Sequence, residues 1–310
     1  MVLIPAGTYT WTRAVKLGTV SWGKAGPTTT GQKHLTLQGA GIDRTILVDE
    51  VPPDPRGQSD SMFIIHTLEG KPFRITGMTL RGGTGEVGEL CALRVLGTGK
   101  QVRTDHVKFH HLKTRGLYVN GEVFGVIDHC EFLINAWKQA IWIGHSSWGG
   151  HDYGDGSWAS PLSLGTEKAV YIEDNVFRSE GPATAAATVD SWMGGRWVFR
   201  HNRVENMTIG NHGTESSGRW RGCFSMEIYD NVFHRPVCVE HRRWIQDHEG
   251  PGLPGRHRPI DGAPAFGRQP AASPPMARAG AGALVCVEQH PEREDAGIRS
   301  RSILIQEGRE

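Results

Sequence analysis

A pair of short polar residues with an apolar residue close behind recurs along this chain. It appears as Asp105-His106 before Phe109, Asp128-His129 before Phe132, Asp174-Asn175 before Phe177, His201-Asn202 before Val204 and Asp230-Asn231 before Phe233. Successive pairs begin 23, 46, 27 and 29 residues apart, so one interval is twice the shortest. Repeats of this length are the mark of solenoid architectures, in which each unit buries its apolar side chains against its neighbours. Short apolar runs precede the pairs, as in Val126-Ile127, Val170-Tyr171-Ile172 and Trp197-Val198-Phe199. Each unit therefore reads as strand, polar corner and second strand, with alternate side chains entering a shared core. The expected fold class is all-β.

Composition enters as support. Hydrophobic residues make up 38% of the chain and 41 of 310 residues are glycine, while apolar stripes at helical spacing are hard to find. The net charge of +1 gives no general electrostatic case for a nucleic-acid or membrane partner. No apolar run approaches the ~20 residues of a membrane span. The five cysteines, Cys91, Cys130, Cys223, Cys238 and Cys286, show neither CxxC nor metal-ligand spacing, and Cys130 and Cys223 read as small core residues.

The pattern stops after Phe233. Residues 234–310 hold 9 of the 17 prolines and 11 arginines with no Lys, Asn, Thr or Tyr, whereas the preceding part uses 9 Lys beside 14 Arg. Two readings of this segment stay open, a disordered tail and a shifted reading frame. The expected organisation is a repeat domain over 1–233 followed by an unpatterned 234–310. No signal peptide is visible. The chain opens on Val2-Leu3-Ile4-Pro5-Ala6-Gly7-Thr8-Tyr9-Thr10-Trp11, a strand already under way, and the expectation is that a cap for the first unit lies upstream.

The opening IPAGTYTW, the segment His34–Leu47 reading HLTLQGAGIDRTIL with its Gly39 and Gly41, and the polar-pair units together resemble the right-handed parallel β-helices of the pectin lyase-like superfamily. The resemblance covers residues 1–233. GGRWVFRHN, NHGTESSGRWRG and MEIYDNVF within Asp190–Phe233 resemble an uncharacterised bacterial branch of that superfamily. It implies a right-handed parallel β-helix with irregular loop insertions, and leaves the reaction open, since lyases, hydrolases, epimerases, tailspikes and noncatalytic surface proteins share the fold.

The polar pairs have a structural reading, in which like side chains on successive units hydrogen-bond to one another and to turn backbone. His106 and His129 raise a metal site as the alternative, and stacked histidines explain their spacing without one. Function in such folds collects where insertions build walls. The longest insertion lies between the units at Asp128 and Asp174 and carries Trp148, His151, Asp152, Tyr153, Asp155 and Trp158. Aromatic faces with acids between them suit a sugar surface, with Trp148, Tyr153, Trp158 and His151 as substrate-binding candidates; the competing reading is a hydrophobic lid packed on the strands. Asp152 and Asp155 are weak candidates to share a Ca²⁺, which needs about six oxygens or more. No other cofactor is indicated.

A second Gly-bounded segment gathers His212, Glu215, Arg219 and Arg221. A polyuronate lyase needs a cation or Arg to neutralise the C6 carboxylate, a base for the C5 proton and an acid for the C4 oxygen. His212, Arg219 and Arg221 match those roles, with Glu215 orienting one of them, and Asp190 and Arg196 are expected one unit away. A glycoside hydrolase would instead pair carboxylates, such as Asp190 with Glu215. Surface ion pairing that ties the loop down is the bland alternative. The functional expectation is a secreted or cell-surface protein acting on a polysaccharide, by β-elimination ahead of hydrolysis. A noncatalytic glycan-binding module, adhesin-like or tailspike-like, is the competing class.

Overall fold

The computed structural model describes residues 1–23, 26–30, 34–53, 61–85, 91–112, 115–134, 139–180, 187–212, 221–234, 238–242, 285–286, 298–299 and 303–306; within 19–30, 211–212 and from 238 onward it describes backbone alone. The fold is all-β, built of parallel sheets. In chain order the strands are β1 (Val2–Ile4), β2 (Gly7–Trp11), β3 (Val15–Leu17), the hairpin β4 (Thr19–Gly23) and β5 (Gly26–Thr30), β6 (Leu35–Gly39), β7 (Thr45–Asp49), β8 (Phe63–Thr67), β9 (Phe73–Gly82) and β10 (Cys91–Gly97). They continue with β11 (Val102–His110), β12 (Arg115–Asn120), β13 (Gly125–Asp128), β14 (Glu131–Ile134), β15 (Gln139–Gly144), β16 (Val170–Glu173), β17 (Val176–Ser179) and β18 (Ala187–Trp192). After these come β19 (Arg196–Arg200), β20 (Arg203–Glu205), β21 (Ile209–His212), β22 (Ser225–Tyr229), β23 (Val232–His234) and β24 (Cys238–Arg242).

Apart from the hairpin, these strands recur in threes. The first two of each triplet flank a corner and join a large sheet, here sheet A, in which β9 and β11 run through the corner unbroken. The third joins a second sheet, sheet B, ordered β3-β8-β10-β12-β15-β18. Each strand pairs in parallel with its counterpart in the next triplet, as β13 does with β16 and β12 with β15. A parallel bridge from Ala187 to Thr208 leads from β18 to β21, which pairs in parallel with β24. β24 therefore carries parallel pairing beyond Phe233, where the sequence pattern stops. The short strands β25 (Val285–Cys286), β26 (Ile298–Arg299) and β27 (Ile303–Gln306) pair antiparallel with β24, β23 and β22.

The apolar residue that follows each polar pair is a core anchor. Phe109, Phe132, Phe177, Val204 and Phe233 are all buried and are register partners in one column. The first three stack ring on ring, at 4.6 and 4.7 Å and within 5° of parallel. Ile75, Thr104, Ile127, Ile172, Phe199 and Ile228 line up on the other side of the corner.

The corner itself is a left-handed residue. Its φ is +68° at Gly77, then +50° at His106, +51° at His129, +57° at Asp174, +57° at His201 and +52° at Asp230. Asp and His tolerate this region better than most side chains, which explains the residue types found there. The corner falls on the second member of the first two pairs but on the first member of the last three. The register is accordingly Asp105↔Asp128↔Glu173↔Arg200↔Tyr229, and Asp174 stands level with His129 rather than with Asp128. Gly39 lies against the Gly77 corner, where a Cβ would meet the Gly77 carbonyl oxygen at 2.2 Å.

Behind the last three corners runs an asparagine ladder. Asn175 Oδ1 accepts from the Cys130 amide at 2.8 Å, Asn202 Oδ1 from the Asn175 amide at 2.9 Å, and Asn231 Oδ1 from the Asn202 amide at 2.9 Å. Their Nδ2 groups donate to the carbonyls of Ile127, Ile172 and Phe199 one triplet back, each at 2.9 Å. Backbone groups left over at the bend, which burial would make costly, are thus paired.

Candidate functional site

The insertion at 145–169 interrupts the path from β15 to β16 and folds as a short 3₁₀ turn, Trp148–Gly150, and a helix α1, Asp155–Ala159. Its centre is Arg196, at the start of β19 and fully buried. Arg196 Nε donates to Ser157 Oγ at 2.9 Å, Nη1 to Ser163 Oγ at 2.7 Å and to the Pro161 carbonyl at 2.5 Å. Nη2 donates to the Ser160 carbonyl at 3.0 Å and to that of Ser157. The guanidinium lies between the Trp148 and Phe224 rings, 4.3 and 4.4 Å from their centroids. Burial lowers its pKa to about 10, so it remains a cation at neutral pH. Beside it, burial pushes His145 down to about 3; its ring packs edge-on against Phe124 and Trp148.

Two expectations change as a result. Trp148 is 6% exposed and Arg196 not at all, so neither faces outward to meet a sugar. Both hold the insertion on the strands, which is the lid alternative. The guanidinium is consumed by five acceptors of the insertion, all uncharged.

The remaining insertion residues meet the second loop. Arg221 Nε pairs with Asp155 Oδ1 at 2.7 Å, and the Arg221 amide donates to the Tyr153 carbonyl at 3.0 Å. The Trp158 indole donates to the Gly222 carbonyl at 3.2 Å, and its ring packs edge-on against Phe224. Asp155 thus already has a cation, Arg221. Asp152 and His151 are exposed. Among the described residues no group of three or more His, Cys, Asp or Glu could hold a metal ion. Glu215 and Arg219 lie outside the described residues, and His212 is described in backbone alone. The Ala187↔Thr208 bridge, carried forward, sets Asn211 opposite Asp190 and His212 opposite Ser191.

Asp190 belongs to a different constellation, on the outer face of sheet B. The register Ile64↔Arg94↔Tyr118↔Trp142↔Asp190 forms one outward row, and Asn120↔Gly144↔Trp192 continues the neighbouring one. Trp142 packs against Tyr118 at 4.7 Å with the rings tilted by 31°, and stacks on Trp192 at 4.7 Å and 10°, a continuous aromatic ladder. Arg94 lies over Tyr118 at 5.6 Å and Arg115 over Trp142 at 4.3 Å. Arg115 Nε donates to Gln139 Oε1 at 2.7 Å, and Gln139 Nε2 donates to Asp190 Oδ2 at 3.1 Å, so a guanidinium, an amide and a carboxylate form a chain along the ladder. Burial pushes the Tyr118 phenol well above its ordinary range, so it is a neutral hydroxyl. Burial, followed by the charge of Arg94, lowers the pKa of His66, which stands beside Leu96 in the same sheet. Arg94 Nε and Trp142 Nε1, both buried donors, have no partner among the described residues.

Sequence reading missed this face, Asp190 excepted. The one available signal was that Tyr118 and Trp142 fall 24 residues apart, close to the pair spacing, within segments that otherwise read as core strands. Comparison with protein-family models, with curated proteins and with solved structures finds no match for the chain.

Proposed function

We propose that the strand triplets wind as a right-handed parallel β-helix of the pectin lyase-like kind, and that the outer face of sheet B binds an acidic polysaccharide and cleaves it by β-elimination. The observation that carries this reading is the Tyr118–Trp142–Trp192 ladder bordered by two guanidinium groups and one carboxylate. Trp142, half-buried, is the ladder ring open to a sugar, and Tyr118 and Trp192, 4% and 8% exposed, hold it in place. Arg94 and Arg115 supply the charge that neutralises a uronate carboxylate and so acidifies the neighbouring C–H. Asp190, oriented by Gln139, is the base this face offers for the C5 proton, and once protonated it returns that proton to the departing C4 oxygen. Hydrolysis is less well supported: it requires two carboxylates about 5.5 Å or about 6.5–9.5 Å apart, and among the described outward residues of the face Asp190 stands alone. A polysaccharide substrate places the protein outside the cell or on its surface.

One observation favours a second reading. Asp190 is only 5% exposed, which keeps it from a substrate proton and leaves the half-buried Trp142, Arg94 and Arg115 to bind a glycan without turnover. Incubation with a panel of acidic and neutral polysaccharides separates the two, followed by ultraviolet absorbance for unsaturated ends and by a reducing-end assay. Unsaturated ends that vanish in Asp190→Asn and fall at least tenfold in Arg115→Gln support elimination. Binding that is lost in Trp142→Ala with no new ends supports the module. Reducing ends without unsaturation refute the lyase reading, and neither binding nor cleavage refutes both.

A further inference from the structure

The five cysteines fall into two groups. Cys91, Cys130 and Cys223 are buried in the strand stack. Burial pushes the Cys91 thiol up to about 11 and that of Cys130 well above its ordinary range. The thiolate is the reactive form, so burial of this kind withholds a cysteine from redox chemistry. The other two meet across a pair of strands beyond the last polar pair. β24 and β25 run antiparallel, with Cys238↔Cys286 and Val239↔Val285 as register partners. A slip of one residue would set each Cys opposite a Val, so the juxtaposition belongs to this register alone.

Register brings the two within bonding reach. Directly opposed residues of an antiparallel pair have Cα atoms about 5.5 Å apart at a hydrogen-bonded site and about 4.5 Å apart at a non-hydrogen-bonded one. A disulfide spans Cα separations of about 4.4–6.8 Å, so either kind of site accepts the bond with the backbone where it is.

We propose that Cys238 and Cys286 form a disulfide that fastens the segment bearing β25, β26 and β27 to the last strand triplet, independently of what the glycan face does. The bond forms by exchange with a small-molecule disulfide such as oxidised glutathione. The thiolate of one Cys attacks it and releases one small thiol, leaving a mixed disulfide; the thiolate of the other Cys attacks that protein sulfur and releases the second small thiol. The two protein thiols give up two electrons and two protons, and the small disulfide takes them up as two thiols. The bond acts through the leash it shortens. β27 lies along β22 and β26 along β23 in antiparallel pairing. Along the chain 65 residues run from Cys238 on β24 to Ile303 on β27, and across the bond only 17 remain, from Cys286 to Ile303. The local concentration of a tethered segment falls as roughly the −3/2 power of its leash, so the bond raises that of β27 about sevenfold. Edges covered in this way are withheld from pairing with another chain.

The test counts thiols in the whole chain. Dilute protein is equilibrated with oxidised and reduced glutathione, unfolded in the presence of an alkylating reagent and weighed by mass spectrometry. The expected result is alkylation of all five cysteines but Cys238 and Cys286, with no glutathione adduct, against alkylation of all five when a strong reductant comes first. A digest without reductant should hold one linked peptide pair carrying Cys238 and Cys286, absent in Cys286→Ser. Hydrogen exchange is the second measurement: the amides of Ile303–Gln306 should exchange about sevenfold faster in the reduced parent and in Cys286→Ser than in the oxidised parent. Five alkylated cysteines after the glutathione step, glutathione adducts in place of the link, a link to another cysteine or to a second copy, or exchange at Ile303–Gln306 that is the same in both redox states overturns the proposal.

Discussion

Asn202 sits at the middle of the asparagine ladder, and replacing it tests whether the corners hold the triplets together. Its side chain accepts from the Asn175 amide at 2.9 Å and from Asn175 Nδ2 at 3.0 Å. It donates to the Ile172 carbonyl at 2.9 Å and to Asn231 Oδ1 at 3.1 Å. Asn202→Ala removes all four bonds and strands the Asn175 amide, in a residue 1% exposed, and the Ile172 carbonyl. A buried polar group left unpaired costs about 1–3 kcal/mol, and the space vacated by the amide adds about 1 kcal/mol. The expected loss is therefore about 3–7 kcal/mol, read from urea unfolding followed by circular dichroism at constant m. Asn202→Asp keeps the shape but turns the donor atom into an oxygen facing two other oxygens. Its carboxyl is then raised in the folded state relative to the unfolded one, so stability is greatest below the unfolded pKa and is lost as pH rises. A loss under about 1 kcal/mol in Asn202→Ala, or an Asn202→Asp variant as stable as the parent at pH 8, would refute the reasoning.

Arg196→Lys keeps the charge but offers three donors to five acceptors; it should lower stability by at least about 2 kcal/mol and expose 145–163 to limited proteolysis. Uncut loops at parental stability would remove Arg196 as the anchor. Asp49 is buried, and burial raises its carboxyl to about 6, against the lowering effect of the Val51 amide on Oδ1 at 3.1 Å. The folded state then binds the proton more tightly than the unfolded chain, whose value is 3.8, so stability falls as pH climbs from about 4 to beyond 6. The shift of about two units is worth up to about 3 kcal/mol. Asp49→Asn should flatten that slope and exceed the parent in melting temperature at pH 8, and identical pH profiles would count against it.

The repeat was legible because each unit leaves the same trace within a few residues: a polar corner and, three or four positions on, a phenylalanine or, after His201, Val204. What escaped was the phase. Asp105-His106 and Asp174-Asn175 look alike in sequence, yet the bend falls on His106 in one and on Asp174 in the other, and only the register reveals it. Arg196 was misplaced for a different reason. An arginine in a Gly-rich context reads as a surface group, and nothing local announces that serines and carbonyls 33–39 residues earlier will cage it. The sheet B face escaped because its parts are whole repeats apart. Leu-Tyr-Val and Ile-Trp-Ile read as buried strands, and the outward direction of Tyr118 and Trp142 becomes visible only once their flanking residues are seen to fill the core.

The two outward faces differ in how their charges are settled. On sheet A each cation near a corner has its carboxylate: Arg74 with Asp105, Arg103 with Asp128, Arg200 with Glu173. Burial works to raise the Asp105 carboxyl, and hydrogen bonds from Arg74, His106 and Thr76 outweigh it, holding it at about 2. Such pairs are complete within the fold and ask nothing of a ligand. On sheet B the balance is reversed. Arg94 and Arg115 rest on aromatic rings, and Arg94 Nε and Trp142 Nε1 are buried without acceptors among the described residues. Each such donor burdens the folded state by about 1–3 kcal/mol. His145 in the insertion and Trp197 on sheet A also bury ring nitrogens without a partner among the described residues, so what sets sheet B apart is that Arg94, paired with no carboxylate among the described residues, and Arg115 lie on the ladder at the half-buried Trp142.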